Sequence, residues 1–200
     1  MSTPILEAFF HAAAAAYRKT GVPEATVVAE RLEGHAGRPF VAEPTDRPPA
    51  IAHLSAACAA ADAHPVLAAL GPAIHRLPWT EGELPVPASF KGRYAYAALI
   101  GPGLPIADKS MYFGLYLQSP DSYYPNHWHL AEELYYVLSG TAEWRQGASP
   151  LAAKPSGTLV QHKSNVPHAM QTRTPPLLAM WAWIGDLREG TYRIEPAASD

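Results

Sequence analysis

The sequence predicts a mainly β fold, either a sandwich or a small barrel, preceded by an α-helical N-terminal region, so that the chain is α+β overall. Alanine-rich segments with helical periodicity fill residues 1–76. Short runs of Tyr, Val, Leu and Trp, separated by turns that contain Pro and Gly, fill residues 77–200. Two hundred residues suit a single compact unit with a sizeable core. We therefore expect the helical region to pack on the β region.

The helical region shows ordinary start and stop signals. Thr3-Pro4 offers an N-terminus for the first helix, and Gly21 follows its last apolar residue. A segment rich in Pro, Gly and charge at 37–49 predicts a loop. Five histidines of this region show no ligand-like spacing, so we expect surface or helix-end positions for His11, His35, His53, His64 and His75. The predicted helices are 3–20, 23–33, 50–63 and 65–74.

The β region begins with a connector that contains Pro78, Pro85 and Pro87. Turn signals such as Gly101-Pro102-Gly103 and Ser139-Gly140 then separate short apolar runs. Many short strands with such turns favour a sandwich or a barrel. The predicted strands are 93–100, 111–118, 133–138, 142–145, 158–162, 168–172, 177–184 and 192–194.

Composition and charge exclude several classes of partner. The net charge is −3 and no basic cluster is present, which argues against nucleic acid and against an anionic membrane surface. Cys58 is the only cysteine, so no internal disulfide can form and a reducing compartment is expected. Residues 1–20 lack the pattern of a secretory signal, and no apolar run reaches transmembrane length. We expect a cytoplasmic protein.

One stretch carries a candidate metal site. His127 and His129 lie two residues apart, so both imidazoles point to the same face of a strand, and Trp128 between them points away. Glu133 follows after a short bend, and Tyr135 shares its strand face. Neutral imidazoles with a carboxylate suit one divalent transition metal, Zn, Fe, Mn, Co or Ni, and do not choose among them.

This stretch resembles the first metal motif of the cupins, in which His-x-His and Glu are followed by a glycine, here Gly140. The second cupin motif is matched by Pro155-Ser156-Gly157 with His168 beyond it, although Thr158 replaces a common aspartate. The resemblance covers roughly the second half of the chain. It implies a cupin-type β-barrel in which a central metal is bound by His129, Glu133 and His168, with His127 as a fourth ligand or as a donor beside the ligands.

The tyrosines around the motif narrow the resemblance. Tyr124 and Tyr135 flank the metal residues in the pattern of the cupin-type dimethylsulfoniopropionate (DMSP) lyases, which also carry an N-terminal helical part and a tryptophan near the end of the barrel. The resemblance implies a metal-dependent carbon–sulfur lyase that forms dimethyl sulfide and acrylate by base-promoted β-elimination. Tyr135 is the first candidate for the base and Tyr124 the second. An aromatic wall would hold the sulfonium; its candidates, with the neighbouring imidazole, are Tyr123, Tyr124, His127, Tyr135, Trp181 and Trp183.

Two other functions fit the same ligand set. The chain could be another metal-dependent cupin enzyme, a dioxygenase or an isomerase, or a non-catalytic cupin that senses a ligand. The tyrosines at positions 124 and 135 disfavour the first, and a sensor would need a pocket but no base. The expected partner is a small sulfonium substrate. Barrels with exposed edge strands often pair, so a homodimer is one expected assembly.

Overall fold

The computed structural model describes residues 3–41, 45, 47–61 and 63–195. The predicted loop at 37–49 and helix at 50–63 therefore include five residues outside the described part, Ala42, Glu43, Pro44, Asp46 and Asp62. The helices are α1 (Thr3–Lys19), α2 (Pro23–His35), α3 (Leu54–Ala59) and α4 (Pro65–Leu70), with 3₁₀ turns at Pro49–His53 and Gly71–Arg76. None of the helices in these ranges is long and apolar enough to cross a membrane.

The β region forms two antiparallel five-stranded sheets. The first has the order β1-β2-β9-β4-β7 and the second the order β10-β3-β8-β5-β6. All eight predicted strands are present with small shifts at their ends, and β3 and β6 are additional. The strands are β1 (Tyr94–Ile100), β2 (Met111–Gln118), β3 (Tyr123–Trp128), β4 (Ala131–Ser139), β5 (Thr141–Gln146), β6 (Ala152–Pro155), β7 (Leu159–His162), β8 (His168–Thr172), β9 (Leu177–Gly185) and β10 (Arg193–Ile194).

The helices cover the outer face of the first sheet. Phe113 of β2 lies against Phe9, Phe10 and Tyr17 of α1, with ring centroids 5.9, 6.1 and 6.4 Å apart. The apolar stripe of α1 is fully buried because the sheet supplies the surface it needs. The Tyr17 hydroxyl also donates to the Leu134 carbonyl of β4, at 3.3 Å. Helices and sheet therefore share one continuous core.

A second core fills the space between the two sheets. Period-2 alternation sends every other residue of the first sheet into this interior. Phe90, Tyr94 and Tyr124 stack there, with centroids 5.0 Å and 4.5 Å from Phe90 to the two tyrosines. Below them, Val137, Val160 and Met170 complete an apolar floor. The predicted fold class, a cupin-type β-barrel preceded by helices, is confirmed.

Candidate metal centre and active-site cavity

Four polar side chains meet inside the barrel. His127 is near the end of β3, and its side chain points into the barrel. Its register partner on β8 is His168. His129 lies in the bend after β3, and Glu133 follows on β4 of the opposite sheet. The two sheets thus bring together residues up to 41 positions apart in the sequence, and all four side chains are at most 3% exposed.

The spacing of these side chains suits a single ion. His127, Glu133 and His168 each place a ligand atom within 4.8 Å of the other two. The Oε2 atom of Glu133 lies 3.2 Å from Nε2 of His168 and 3.4 Å from Nε2 of His129. His129, Glu133, His168 and His127, predicted from the sequence as metal residues, are therefore all in the cluster. His129 is not among the three residues that satisfy the 4.8 Å limit, and it joins the cluster through its 3.4 Å approach to Glu133.

The tautomer of each histidine leaves one nitrogen free for a metal. In His127, His129 and His168, Nδ1 lies 2.9 Å from a backbone carbonyl. A carbonyl only accepts, so Nδ1 carries a hydrogen, and in the neutral form of such a ring Nε2 keeps the lone pair that a metal needs. Three buried atoms have no hydrogen-bond partner within the described part of the chain: Nε2 of His129, Nε2 of His168 and Oε2 of Glu133. Three unpartnered buried ligand atoms that converge fit a divalent transition metal. The carbonyls belong to Pro125, Ala131 and Val166.

Electrostatics keep this donor set in the form that binds cations. Burial lowers the pKa of His127 well below its ordinary value, so the imidazole is neutral. Burial by itself raises the pKa of Glu133, but contacts with His129 and His168 outweigh it and hold that pKa well below the usual range. The carboxylate is therefore ionised. A neutral imidazole and an ionised carboxylate are the ligand forms that an N/O-type metal site requires.

Trp183 of β9 fixes the carboxylate. Its indole N–H donates to Oε1 of Glu133 at 2.7 Å, and its ring packs on His129 with centroids 4.3 Å apart. Because Oε1 is held by the indole, Oε2 is left to face the two histidines. Trp183 therefore belongs to the support of the metal cluster as well as to the wall of the cavity.

A cavity of about 240 Å³ opens onto this cluster. Glu133 is the only acidic or basic side chain, histidine apart, among the described residues that line it. The walls are otherwise aromatic with a few aliphatic side chains. The lining comprises Leu84, Tyr94, Tyr96, Ala98, Leu104, Tyr112, Tyr116, Tyr124, His127, Glu133, Tyr135, Trp181, Trp183 and Tyr192.

The structure places five of the six predicted substrate-wall residues around this cavity: Tyr124, His127, Tyr135, Trp181 and Trp183. Tyr123 does not reach it, and that prediction is wrong. Its side chain lies on the opposite face of β3 from Tyr124, is 39% exposed, and accepts a hydrogen bond from Arg145.

The two candidate bases have different surroundings. The Tyr124 and Tyr192 hydroxyls lie 2.6 Å apart, and the Tyr124 ring stacks on His127 at 3.9 Å. Tyr135 lies two residues after Glu133 on the same inner face of β4. Burial raises the pKa of both Tyr124 and Tyr135 well above the ordinary value, and the Glu133 carboxylate raises that of Tyr135 further. The chain by itself therefore keeps both phenols protonated.

Comparison with known proteins identifies the group to which this site belongs. A family model described as dimethylsulfoniopropionate lyase matches residues 24–179. The chain belongs to the DMSP lyase family. The match spans nearly all of α2, the helices after it, strands β1 to β8 and the start of β9, and it includes all four metal-cluster residues and both candidate bases.

Individual members of the DMSP lyase family agree. The chain is 39% identical over 100 residues to the DMSP lyase DddQ of Ruegeria pomeroyi, across 50% of each sequence. It is 31% identical over 149 residues to a putative DMSP lyase, DddL, of Cereibacter sphaeroides, across 70% of this chain and 62% of the relative. The chain thus spans about half to three-fifths of the curated relatives it matches.

Solved structures of DMSP lyases align over almost their full length. A structure described under the DMSP lyases RdDddP and RnDddQII gives a TM-score of 0.72 at 27% identity, with 96% of this chain and 97% of the other covered. The structure of DddQ from Ruegeria pomeroyi gives 0.64 at 27% identity, covering 92% and 98%. The helices and the barrel are therefore arranged as in these proteins.

Several lining residues of this DMSP lyase-family cavity were not predicted. Tyr94 and Tyr96 alternate on β1, and Tyr112 and Tyr116 share the inner face of β2. This period-2 aromatic pattern is visible in the sequence and could have identified them. Tyr192 lies just before β10, where the sequence offers no comparable pattern.

Proposed function

We propose that the chain is a lyase that cleaves DMSP to dimethyl sulfide and acrylate by base-promoted β-elimination. The observation that carries this proposal is the buried His/Glu cluster at one end of an aromatic cavity, in a member of the DMSP lyase family. The substrate has two unlike ends, a carboxylate and a sulfonium. The cavity offers two unlike environments: a cluster of metal-ligand residues, which suits the carboxylate, and a wall of aromatic rings, which suits the sulfonium.

The carboxylate end of the substrate belongs at the cluster. We propose that His129, Glu133 and His168, with His127, hold one divalent transition metal, Zn, Fe, Mn, Co or Ni. Such a cation, when bound, would accept the substrate carboxylate and lower the pKa of a neighbouring phenol. Apart from histidine, the described lining holds no basic side chain that could pair with a carboxylate.

Tyr135 is the proposed base. Its phenol lies on the Glu133 face of β4, next to the cluster and in the wall of the cavity. The phenolate oxygen takes a proton from the carbon next to the carboxylate. The electron pair of that C–H bond forms the C=C bond of acrylate, and the C–S bond breaks, so that dimethyl sulfide leaves with the pair of that bond. The proton stays on Tyr135 until solvent removes it.

Tyr124 has a different proposed part. Its hydroxyl is already engaged with that of Tyr192 at 2.6 Å, and its ring is stacked on His127. A phenol held in this way orients a ligand imidazole and offers a hydrogen bond to the substrate carboxylate. Tyr124 remains the second candidate for the base.

The sulfonium end belongs among the rings. A sulfonium carries charge but no ordinary hydrogen-bond donor, so aromatic faces are its suitable contacts, each worth about 0.5–2 kcal/mol. Trp181 lies edge-on to Tyr96 and stacked with Tyr112, at centroid distances of 6.2 and 6.5 Å. These three rings and Trp183 form the proposed cation wall.

The test is a direct assay. Purified protein, loaded in turn with Zn²⁺, Fe²⁺, Mn²⁺, Co²⁺ and Ni²⁺, is incubated with DMSP; dimethyl sulfide is measured in the headspace and acrylate by NMR. We expect equal amounts of both products with at least one metal. The matched control substrate is 3-(methylthio)propionate, which lacks the cationic leaving group and should remain intact. Stoichiometric metal binding without either product would contradict the proposal and favour an oxygenase, an isomerase or a sensor.

A further inference from the structure

His162 is a buried histidine that the proposed reaction does not use. It is the last residue of β7, it is 0% exposed, and it does not line the cavity. Its register partner on β4 is Glu133, so both side chains point to the barrel interior. Neither of its ring nitrogens has a hydrogen-bond partner among the residues that the structure describes.

The contact that His162 does make is a parallel stack. Its ring lies face to face with the His168 ring, with centroids 3.8 Å apart and an angle of 6° between the planes. A buried imidazole without hydrogen bonds costs stability relative to an apolar residue. The stack on His168 therefore offers a reason for an aromatic ring at position 162.

Besides this stack, His168 has a hydrogen bond at one nitrogen and two imidazoles at steep angles, of which His129 lies at 80° with centroids 5.3 Å apart. The Nδ1 atom of His168 donates to the Val166 carbonyl at 2.9 Å, and His127 meets the ring at a steep angle, 66°, with centroids 4.1 Å apart. A hydrogen bond to one nitrogen fixes that edge and still allows the ring to tilt about it. A flat neighbour over the ring face removes the tilt.

Charge is compatible with this role. Burial lowers the pKa of His162 well below its ordinary value, and the neighbouring His168 lowers it further. The ring is therefore neutral and does not repel a cation at the cluster. His162 also meets the Tyr135 ring at a centroid distance of 6.1 Å, so it lies beside both a ligand and the proposed base.

We infer that His162 is a positioning residue for the metal centre, whose flat ring holds the His168 imidazole so that Nε2 faces Oε2 of Glu133, 3.2 Å away. The inference rests on the metal ligation proposed above. Residues that orient metal ligands typically change metal affinity or activity by about 10- to 100-fold when they are replaced. The part of His162 that matters is the flat face and not a nitrogen.

The experiment distinguishes the effect of the flat ring face of His162 from the effect of its two nitrogens. His162→Phe keeps a flat ring and removes both nitrogens, whereas His162→Leu removes the flat face. His162→Met also removes it with a more adaptable side chain, so the inference stays testable if His162→Leu does not fold. Leu159→Ala is the control, because Leu159 is on the same strand but packs toward the helical core.

Two readouts report on the centre independently of turnover. Zn²⁺ affinity is measured by competition with a chromophoric chelator, and ligand geometry by the visible absorption of the Co²⁺-loaded protein. We expect His162→Leu and His162→Met to bind Zn²⁺ about 10- to 100-fold more weakly, with an altered Co²⁺ spectrum. His162→Phe should bind within about threefold of the wild type with an unchanged spectrum, and Leu159→Ala should lose stability only.

Two results would overturn the inference. One is wild-type Zn²⁺ affinity in His162→Leu and His162→Met, which would leave the stack without a role. The other is a loss in His162→Phe as large as in His162→Leu, which would make a nitrogen of His162 the essential group. Absence of Zn²⁺ binding in the wild type would instead contradict the metal ligation on which the proposed function depends.

Discussion

The two faces of the β1-β2-β9-β4-β7 sheet are made by alternate residues of the same strands, yet their chemistry differs. On β4, Leu134 and Tyr136 point to the helices, while Glu133 and Tyr135 point into the barrel. The outer face is mostly aliphatic, with Phe113 and Tyr136 as its aromatic members in the core shared with the helices. The inner face is rich in tyrosine and tryptophan and contains a carboxylate.

The difference lies in the polar atoms, because both faces are buried. Polar groups at the interface between the outer face and the helices have partners: the Tyr17 hydroxyl of α1 donates to the Leu134 carbonyl, and the Ser139 hydroxyl of β4 donates to the Ala57 carbonyl. The inner face borders Nε2 of His129, Oε2 of Glu133 and Nε2 of His168, which are buried and find no hydrogen-bond partner in the described ranges. Unpaired buried polar atoms cost stability, so they indicate a ligand. The outer face therefore stabilises the fold, and the inner face is arranged for chemistry.

The largest expected effect is the loss of metal from the inner face. His168→Ala, and separately His129→Ala, should reduce metal content to background by elemental analysis, because each removes an unpartnered nitrogen that faces Glu133. The matched control is His64→Ala, a half-buried histidine of the helical region, which should keep full metal. Full occupancy in both cluster variants would remove the proposed metal site.

Removal of the N-terminal helical region, which covers the outer face, should have nearly as large an effect. We propose that residues 1–76 and the barrel from residue 77 fold as one unit, because α1 and the sheet share a core. A truncated protein that begins at Leu77 exposes the apolar outer face and should be insoluble or poor in metal. A soluble truncated barrel with wild-type DMSP turnover would show that the two regions are separable.

A single outer-face substitution should change stability alone. Phe113→Ala removes a ring that contacts Phe9, Phe10 and Tyr17, and should lower the free energy of unfolding by about 3–5 kcal/mol in urea titrations. Turnover per folded molecule should stay within about twofold, because a general base and metal ligands lie on the other face. A large loss of turnover at unchanged stability would contradict the division between the faces.

A smaller effect is expected at Trp183. Trp183→Phe keeps an aromatic ring in the wall and deletes the N–H that holds Oε1 of Glu133 at 2.7 Å. A hydrogen bond to a charged group contributes about 1.5–3 kcal/mol, so Zn²⁺ affinity should fall roughly tenfold. The control is Trp181→Phe, which deletes an N–H that donates to the Leu115 carbonyl at 3.3 Å and not to the cluster. Its Zn²⁺ affinity should therefore match that of the wild type. Equal affinities in the two variants would rule out the positioning role.

Much of the fold and part of the site can be predicted from the sequence. Alternation predicts the strands of the first sheet, and its inner and outer faces follow from the same period. The pair His127 and His129 with Glu133 predicts the cluster, because their spacing has few structural explanations. The resemblance to the cupins adds His168, which lies far along the chain.

Other features depend on tertiary structure. The β3–β8 register shifts between Tyr124 and His127, so two residues three apart both face inward, against simple alternation. His162 is a single histidine at a strand end of the first sheet, and only the packing of the two sheets brings it to His168 of the second. The edge strand β6 has mostly exposed residues and no alternation to reveal it.

The neighbours Tyr135 and Tyr136 provide the most direct test of the central claim, because one faces the cluster and the other the helices. Tyr135→Phe and Tyr136→Phe each delete one hydroxyl, and Tyr124→Phe serves as the third variant. DMSP turnover is measured per bound metal. Tyr135→Phe should fall by about 10²–10⁴, the effect of losing a general base, and Tyr136→Phe should stay near the wild type. If Tyr124→Phe alone is inactive, Tyr124 is the base; near-normal turnover in both Tyr135→Phe and Tyr124→Phe would contradict a tyrosine base altogether.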